Sequence, residues 1–171
     1  HQKAIEALAP AANEKAFDRK NPVANNPFVL YGLDRYLKPT DPQPVPLPGP
    51  RAGVLTQPSW LIAWSTNFEN DPVRRGRWVR ERLLGGVVPD LPIGVDATVP
   101  EDHARTYRER LAVATTGKCM HCHQRMNDLG LPFEQYDHFG RVRETEAGRP
   151  VDTTGAVAFS GDPALDGPVK S

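Results

Sequence analysis

The chain has 171 residues, and its 21 Lys+Arg balance its 21 Asp+Glu to a formal net charge of zero. A general polyanion binder needs a basic excess to displace counterions, so that class is excluded. A hydrophobic share of 39% rules out a wholly disordered chain, while 18 prolines disfavour long regular sheets, because proline cannot donate to a ladder.

No apolar run approaches the length of a membrane span. The chain begins at His1 rather than Met, as expected of a processed or truncated product. Residues 1–20 are rich in Ala, Glu and Lys and predict a helix interrupted near Pro10. Residues 26–37 predict a second helix. Pro42, Pro44, Pro46, Pro48 and Pro50 then fall at every second position, which predicts an extended, semi-rigid strap, or a ligand for an aromatic groove.

Residues 54–65, VLTQPSWLIAWS, are apolar enough for a buried helix or an irregular core segment. Asp71 followed by Pro72 is a helix start, with an acidic N-cap and proline at the first helical position, and Gly85-Gly86 is the stop. Arg74, Arg75, Arg77, Arg80 and Arg82 on this helix read as a solvated face partly balanced by Glu81, or as a dock for an acidic partner. Pro100 followed by Glu101 and Asp102 predicts another helix, running to about Ala114, with Ala104, Tyr107 and Leu111 on one face. Residues 141–152 predict a small hairpin turning at Ala147-Gly148, and the tail from Gly155 carries little structural signal of its own.

Both cysteines lie in residues 119–123, CMHCH. C-x-x-C-H is the attachment pattern of c-type haem. Two thiols one helical turn apart suit the two vinyl groups on one porphyrin edge, and the histidine that follows is placed to ligate the iron. Cys119 and Cys122 are therefore expected to hold one covalent haem c, with His123 as proximal ligand. Three rivals fit less well. A thioredoxin-like pair wants a βαβ setting, zinc wants four ligands where only two thiols exist, and a Cys119–Cys122 disulfide would close too small a loop to add much stability.

From residue 51 onward the chain resembles a family of uncharacterised bacterial c-type cytochrome-like domains of planctomycete type. The resemblance rests on RAGVLTQ (51–57), DPVRRGRWVRERLLG (71–85), CMHCHQRMNDLGLPFEQYDHFGRVR (119–143) and GRPVDTTG (148–155). Within the third block the matching positions are Gly130, Glu134, Tyr136, Asp137, Gly140, Arg141 and Arg143. There are two departures from the pattern: Asn127-Asp128 stands where relatives have Asp-Pro, and Val113 stands where many have histidine. The resemblance implies a haem domain over 51–155, with 1–50 the end of a preceding domain and 156–171 the start of a following one, all within a larger exported protein.

The fold expected is mainly α, loop-rich and proline-rich: a cytochrome c-like haem domain with a small C-terminal β-hairpin. Trp78, Phe133, Tyr136 and Phe139 are expected either around the haem or simply in the core. Arg141 and Arg143 alternate, so one of them can face inward, and Arg141 is a candidate partner for a haem propionate. His103 and His138 are the candidates for a distal iron ligand. Glu134 and Asp137 invite a calcium or general-acid reading, but turn capping and pairing with nearby arginines suit them better.

The function expected is single-electron transfer by an extracytoplasmic, periplasmic-type cytochrome domain. A redox partner protein or further subunits, and not nucleic acid, would be its partners. The alternative is a peroxidase- or oxygenase-like haem oxidoreductase subunit with an open iron position.

Overall fold

The computed structural model describes residue 47 and residues 49–169. The chain divides into two compact units, His1–Arg51 and Ala52–Ser171. The helices expected over 1–20 and 26–37, and most of the proline strap, lie outside the described residues.

In the second unit a 3-10 turn (Val54–Thr56) leads into α1 (Pro58–Ala63), followed by α2 (Pro72–Arg82) and α3 (Tyr107–Ala114). A 3-10 turn (Gly117–Cys119) then runs directly into α4 (Met120–His123), and α5 (Asn127–Gly130) into a further 3-10 turn (Leu131–Gln135). Two hairpins close the unit: β1 (Thr145–Glu146) with β2 (Arg149–Pro150), and β3 (Ala156–Val157) with β4 (Gly167–Pro168), both antiparallel. The mainly helical, loop-rich class expected from the sequence is the one observed. Among the described residues no helix is long and apolar enough to cross a membrane.

Helix α2 forms where its signals lie. The Asp71 carboxylate accepts from the Arg74 N–H at 2.9 Å, and Pro72 occupies the first turn. The helix ends at Arg82, Gly85 takes φ +65°, and the Gly86 N–H closes on the Arg80 carbonyl at 3.0 Å. The turn between β1 and β2 falls on Ala147 and Gly148, both at positive φ, as a two-residue hairpin with right-handed strand twist demands.

Two apolar clusters carry the packing. Trp60, Leu61, Val79, Leu129 and Tyr136 form the larger, with Trp64, Trp78, Phe133 and Val157 packed against it. Tyr107, Leu111 and Leu131 form the smaller, with Val73 and Val99. Leu129 and Leu131 sit on opposite sides of one short stretch, so the segment after the cysteine motif is pinned by both clusters. Each fully buried leucine contributes about 1.5–3 kcal/mol relative to exposure. Trp60 anchors the aromatic part, with its ring 5.4 Å from Trp78 and 5.1 Å from Phe133, both edge-to-face.

Three expectations are corrected. Helix α3 begins at Tyr107 and not near Pro100. Thr106 and Glu109 form a reciprocal capping box, whereas Asp102 caps only a local turn through the Ala104 N–H. Ala104 is accordingly exposed and off the helix. The described part of the tail, to Val169, is structured: β3 pairs with β4, and the Arg80 guanidinium donates to the Ala158 carbonyl and, at 3.0 Å, to that of Phe159.

The arginines of α2 are not one solvated face. Arg75 and Arg80 are buried, while Arg77 pairs with Glu81 and Asp90 and Arg74 lies beside Asp71. Arg75, at 0% exposure, donates to the Phe133, Tyr136 and Leu61 carbonyls and to Ser65 Oγ at 2.7–3.3 Å. Burial pulls its pKa down to about 10, against the opposing pull of Glu134. It ties α1 and α2 to the loop after α5.

Candidate functional site

The cysteine motif occupies one continuous helical stretch. Cys119, Met120 and Gln124 all have right-handed helical dihedrals, so Cys119 and Cys122 lie one turn apart. Both thiols are free. Cys119 is exposed and Cys122 is partly exposed. Among the described residues no three of His, Cys, Asp or Glu are grouped to hold a metal ion, and that includes Cys119, Cys122 and His123. The two sulfurs and the imidazole therefore do not converge on one point, as a tetrahedral zinc set would.

His123 is fixed by its other neighbours. Its Nδ1 lies 2.9 Å from Asn127 Oδ1, which the turn between α4 and α5 brings back to it. Asn127 is itself buried, and its Nδ2 points at Thr115 Oγ1 at 3.5 Å. Thr115, at the end of α3, donates its hydroxyl to the Leu111 carbonyl at 2.8 Å. Among the described residues His123 Nε2 has no hydrogen-bond partner. The sequence marks Asn127 only as a departure from the family pattern and gives no sign of Thr115. The available signal was an amide four residues after the motif histidine.

The ground under this stretch is rigid. Met126, Leu129 and Leu131 are buried, and α5 lies against α2 at backbone contact distance. The Met126 N–H bonds to the His123 carbonyl at 3.1 Å, which joins the motif to that crossing.

The remaining candidates are distributed elsewhere. Tyr136 is 1% exposed in the larger cluster. Arg141 pairs with Asp137 at 2.5 Å and lies over the Phe139 ring. Asp137 also accepts from the Phe139 and Arg141 N–H groups, so it caps a turn, as expected. His103 is exposed on the turns before α3. His138 is partly buried, its ring 4.1 Å from that of Phe139, and burial lowers its pKa.

Glu134 is a separate buried centre. It accepts from Asn70 Nδ2 at 3.2 Å and from the Arg143 guanidinium at 2.8 Å. Burial nevertheless pushes its pKa up to about 7, against the pull of Arg143 and Arg75. It borders a cleft of about 180 Å³ lined also by Arg108, Glu109, Glu146, Arg149 and Asp152. None of Cys119, Cys122 and His123 lines that cleft, so the motif and the charged cleft are separate places on the domain.

The fold and the motif together define a small helical domain with a partly exposed Cys-Cys-His turn beside a close-packed helix crossing. The chain belongs to the PSCyt3 family, described as a protein of unknown function (DUF1588), whose profile matches residues 51–146. It is a planctomycete cytochrome-like family. No curated protein and no solved structure gives a significant match.

Proposed function

We propose that this domain carries one covalently attached haem c and passes single electrons outside the cytoplasm, as part of a larger protein or complex. The observation that carries the reading is the disposition of the motif. Two unpaired, accessible thiols share one helical turn, and the histidine beside them has Nδ1 tied down and Nε2 unengaged. That donor set fits haem: the sulfurs would serve as thioether anchors and the imidazole would ligate the iron.

In this reading Cys119 and Cys122 would hold the group, and His123 Nε2 would ligate its iron. When bound, haem supplies a one-electron ferric/ferrous couple. The chain's own work is orientation. The α2–α5 crossing keeps the motif from shifting, and Asn127 keeps the His123 ring from turning.

The test is spectroscopic. The full chain, produced in a host with haem-attachment machinery, is reduced, and its spectrum is compared before and after carbon monoxide. A c-type spectrum indifferent to carbon monoxide supports electron transfer. Rapid carbon monoxide binding would overturn simple electron transfer in favour of an open iron position. Absence of any haem spectrum would overturn the proposal as a whole.

A further inference from the structure

The polarity of three consecutive hydrogen bonds bears on the tautomer of His123. The Thr115 hydroxyl gives its one hydrogen to the Leu111 carbonyl at 2.8 Å. Its oxygen is then left only with lone pairs toward Asn127, so the Asn127 amide must turn its NH2 that way, at 3.5 Å. The amide oxygen is thereby the atom that faces His123, 2.9 Å from Nδ1. An oxygen that only accepts requires a donor opposite, so Nδ1 carries the proton. In a neutral imidazole the lone pair is then on Nε2. Thr115 and Asn127 are both buried, so water is poorly placed to substitute for either partner.

We infer that Asn127, oriented by Thr115, is a positioning residue that locks His123 in the Nδ1–H tautomer and so prepares Nε2 as the iron-ligating atom. The inference rests on the haem reading above for its purpose, but its physical content concerns this chain alone. A ligating imidazole that donates its second N–H becomes a better electron donor, and such outer partners are commonly worth 10–100-fold in metal affinity. A stronger acceptor at position 127 makes the imidazole a stronger electron donor and favours ferric iron. An apolar residue there does the opposite.

Two readouts test it. In the full chain made without haem and labelled with 15N-histidine, NMR at alkaline pH reads the tautomer directly. His123 is expected with a protonated Nδ1 and an unprotonated Nε2. Asn127→Leu is expected to release it to a mixture with more Nε2–H, and Thr115→Val to move it in the same direction by less.

In the haem-loaded chain, Asn127→Leu is expected to weaken ferric over ferrous preference about tenfold, a rise of ~59 mV for a one-electron couple, and Asn127→Asp to lower the potential below wild type. A merely structural role for Asn127 would not produce opposite shifts in two variants. If Asn127→Leu fails to fold, Asn127→Asp and Thr115→Val decide, and unchanged potential and tautomer in both would overturn the inference. An Nε2–H tautomer in the wild type would overturn it at once. A chain that takes up no haem defeats the functional reading instead, and the tautomer measurement still decides this one.

Discussion

Gly76 of α2 and Gly130 of α5 face each other across a backbone-to-backbone crossing. A Cβ on Gly76 would stand 1.8 Å from the Met126 carbonyl oxygen, and a Cβ on Gly130 would stand 1.8 Å from that of Pro72. Neither obstacle is the end of a flexible side chain, so neither can move aside without displacing a helix. This crossing carries the segment that follows His123, and the geometry of the motif depends on it.

Gly76→Ala and Gly130→Ala are therefore expected to destabilise the domain by about 1–3 kcal/mol or more, the usual cost of overpacking a close contact. Gly76 lies mid-helix, where replacing glycine by alanine would otherwise be favourable. Urea denaturation of each variant checks this, and a midpoint at or above wild type would show that the helices do not touch there.

Arg75 gives a second prediction. Its planar fork reaches five acceptors on two stretches of chain, Leu61 with Ser65 and Phe133 through Asp137, all within 3.4 Å. Lysine retains the charge but cannot span them. Each buried acceptor left without a donor costs roughly 1–3 kcal/mol, so Arg75→Lys should cost about 3 kcal/mol or more. Arg82, exposed on the same helix, should tolerate Lys with little change. Equal midpoints for the two variants would contradict the assignment.

The contrast between those arginines shows how far the sequence could be read. Helix α2 was legible because Asp71-Pro72 and Gly85-Gly86 are local signals with local causes. The β1–β2 turn was legible for the same reason. Five arginines spaced along a helix look alike in sequence. Only the fold sends Arg75 and Arg80 inward, to carbonyls as far away as Ala158 and Phe159. The start of α3 was misplaced because Pro100, Glu101 and Asp102 mimic a first turn, while the true box, Thr106 with Glu109, lies inside the expected helix. The β3–β4 pair has two-residue strands, too short to show any alternation. At the site, the motif itself was legible, but Thr115 and Asn127 were not, since their partnership is made by two different helices.

The position of that helix start is itself testable. Thr106→Ala removes the acceptor of the Glu109 N–H and should cost about 1 kcal/mol, whereas Asp102→Ala should stay within ~0.5 kcal/mol, because it caps only an exposed turn. Thermal melts of the two variants read the difference. A larger loss from Asp102→Ala would place the helix start nearer Pro100.

Glu134 predicts a pH dependence. Burial raises its folded pKa from the ordinary 4.5 to about 7. Between those values the folded state holds a proton that the unfolded state has released, so stability is full below pH 4.5 and is lost as the pH rises toward 7. The slope at its steepest is about 1.4 kcal/mol per pH unit. Glu134→Gln, which keeps a carbonyl oxygen for Asn70 and Arg143, should flatten the profile across that window. Stability that instead rises between pH 4.5 and 7, and falls no further in the variant, would mean that Arg143 and Arg75 outweigh burial.

The covalent link is the centre of the account. The full chain, made in a host with haem-attachment machinery, is denatured, treated with a thiol-alkylating reagent, run on a gel stained for haem and weighed by mass spectrometry. The account predicts a stained band carrying the mass of one haem, with neither Cys119 nor Cys122 alkylated, and loss of the stain when both are changed to serine. An unstained band of unmodified mass, with both thiols alkylated, would contradict it.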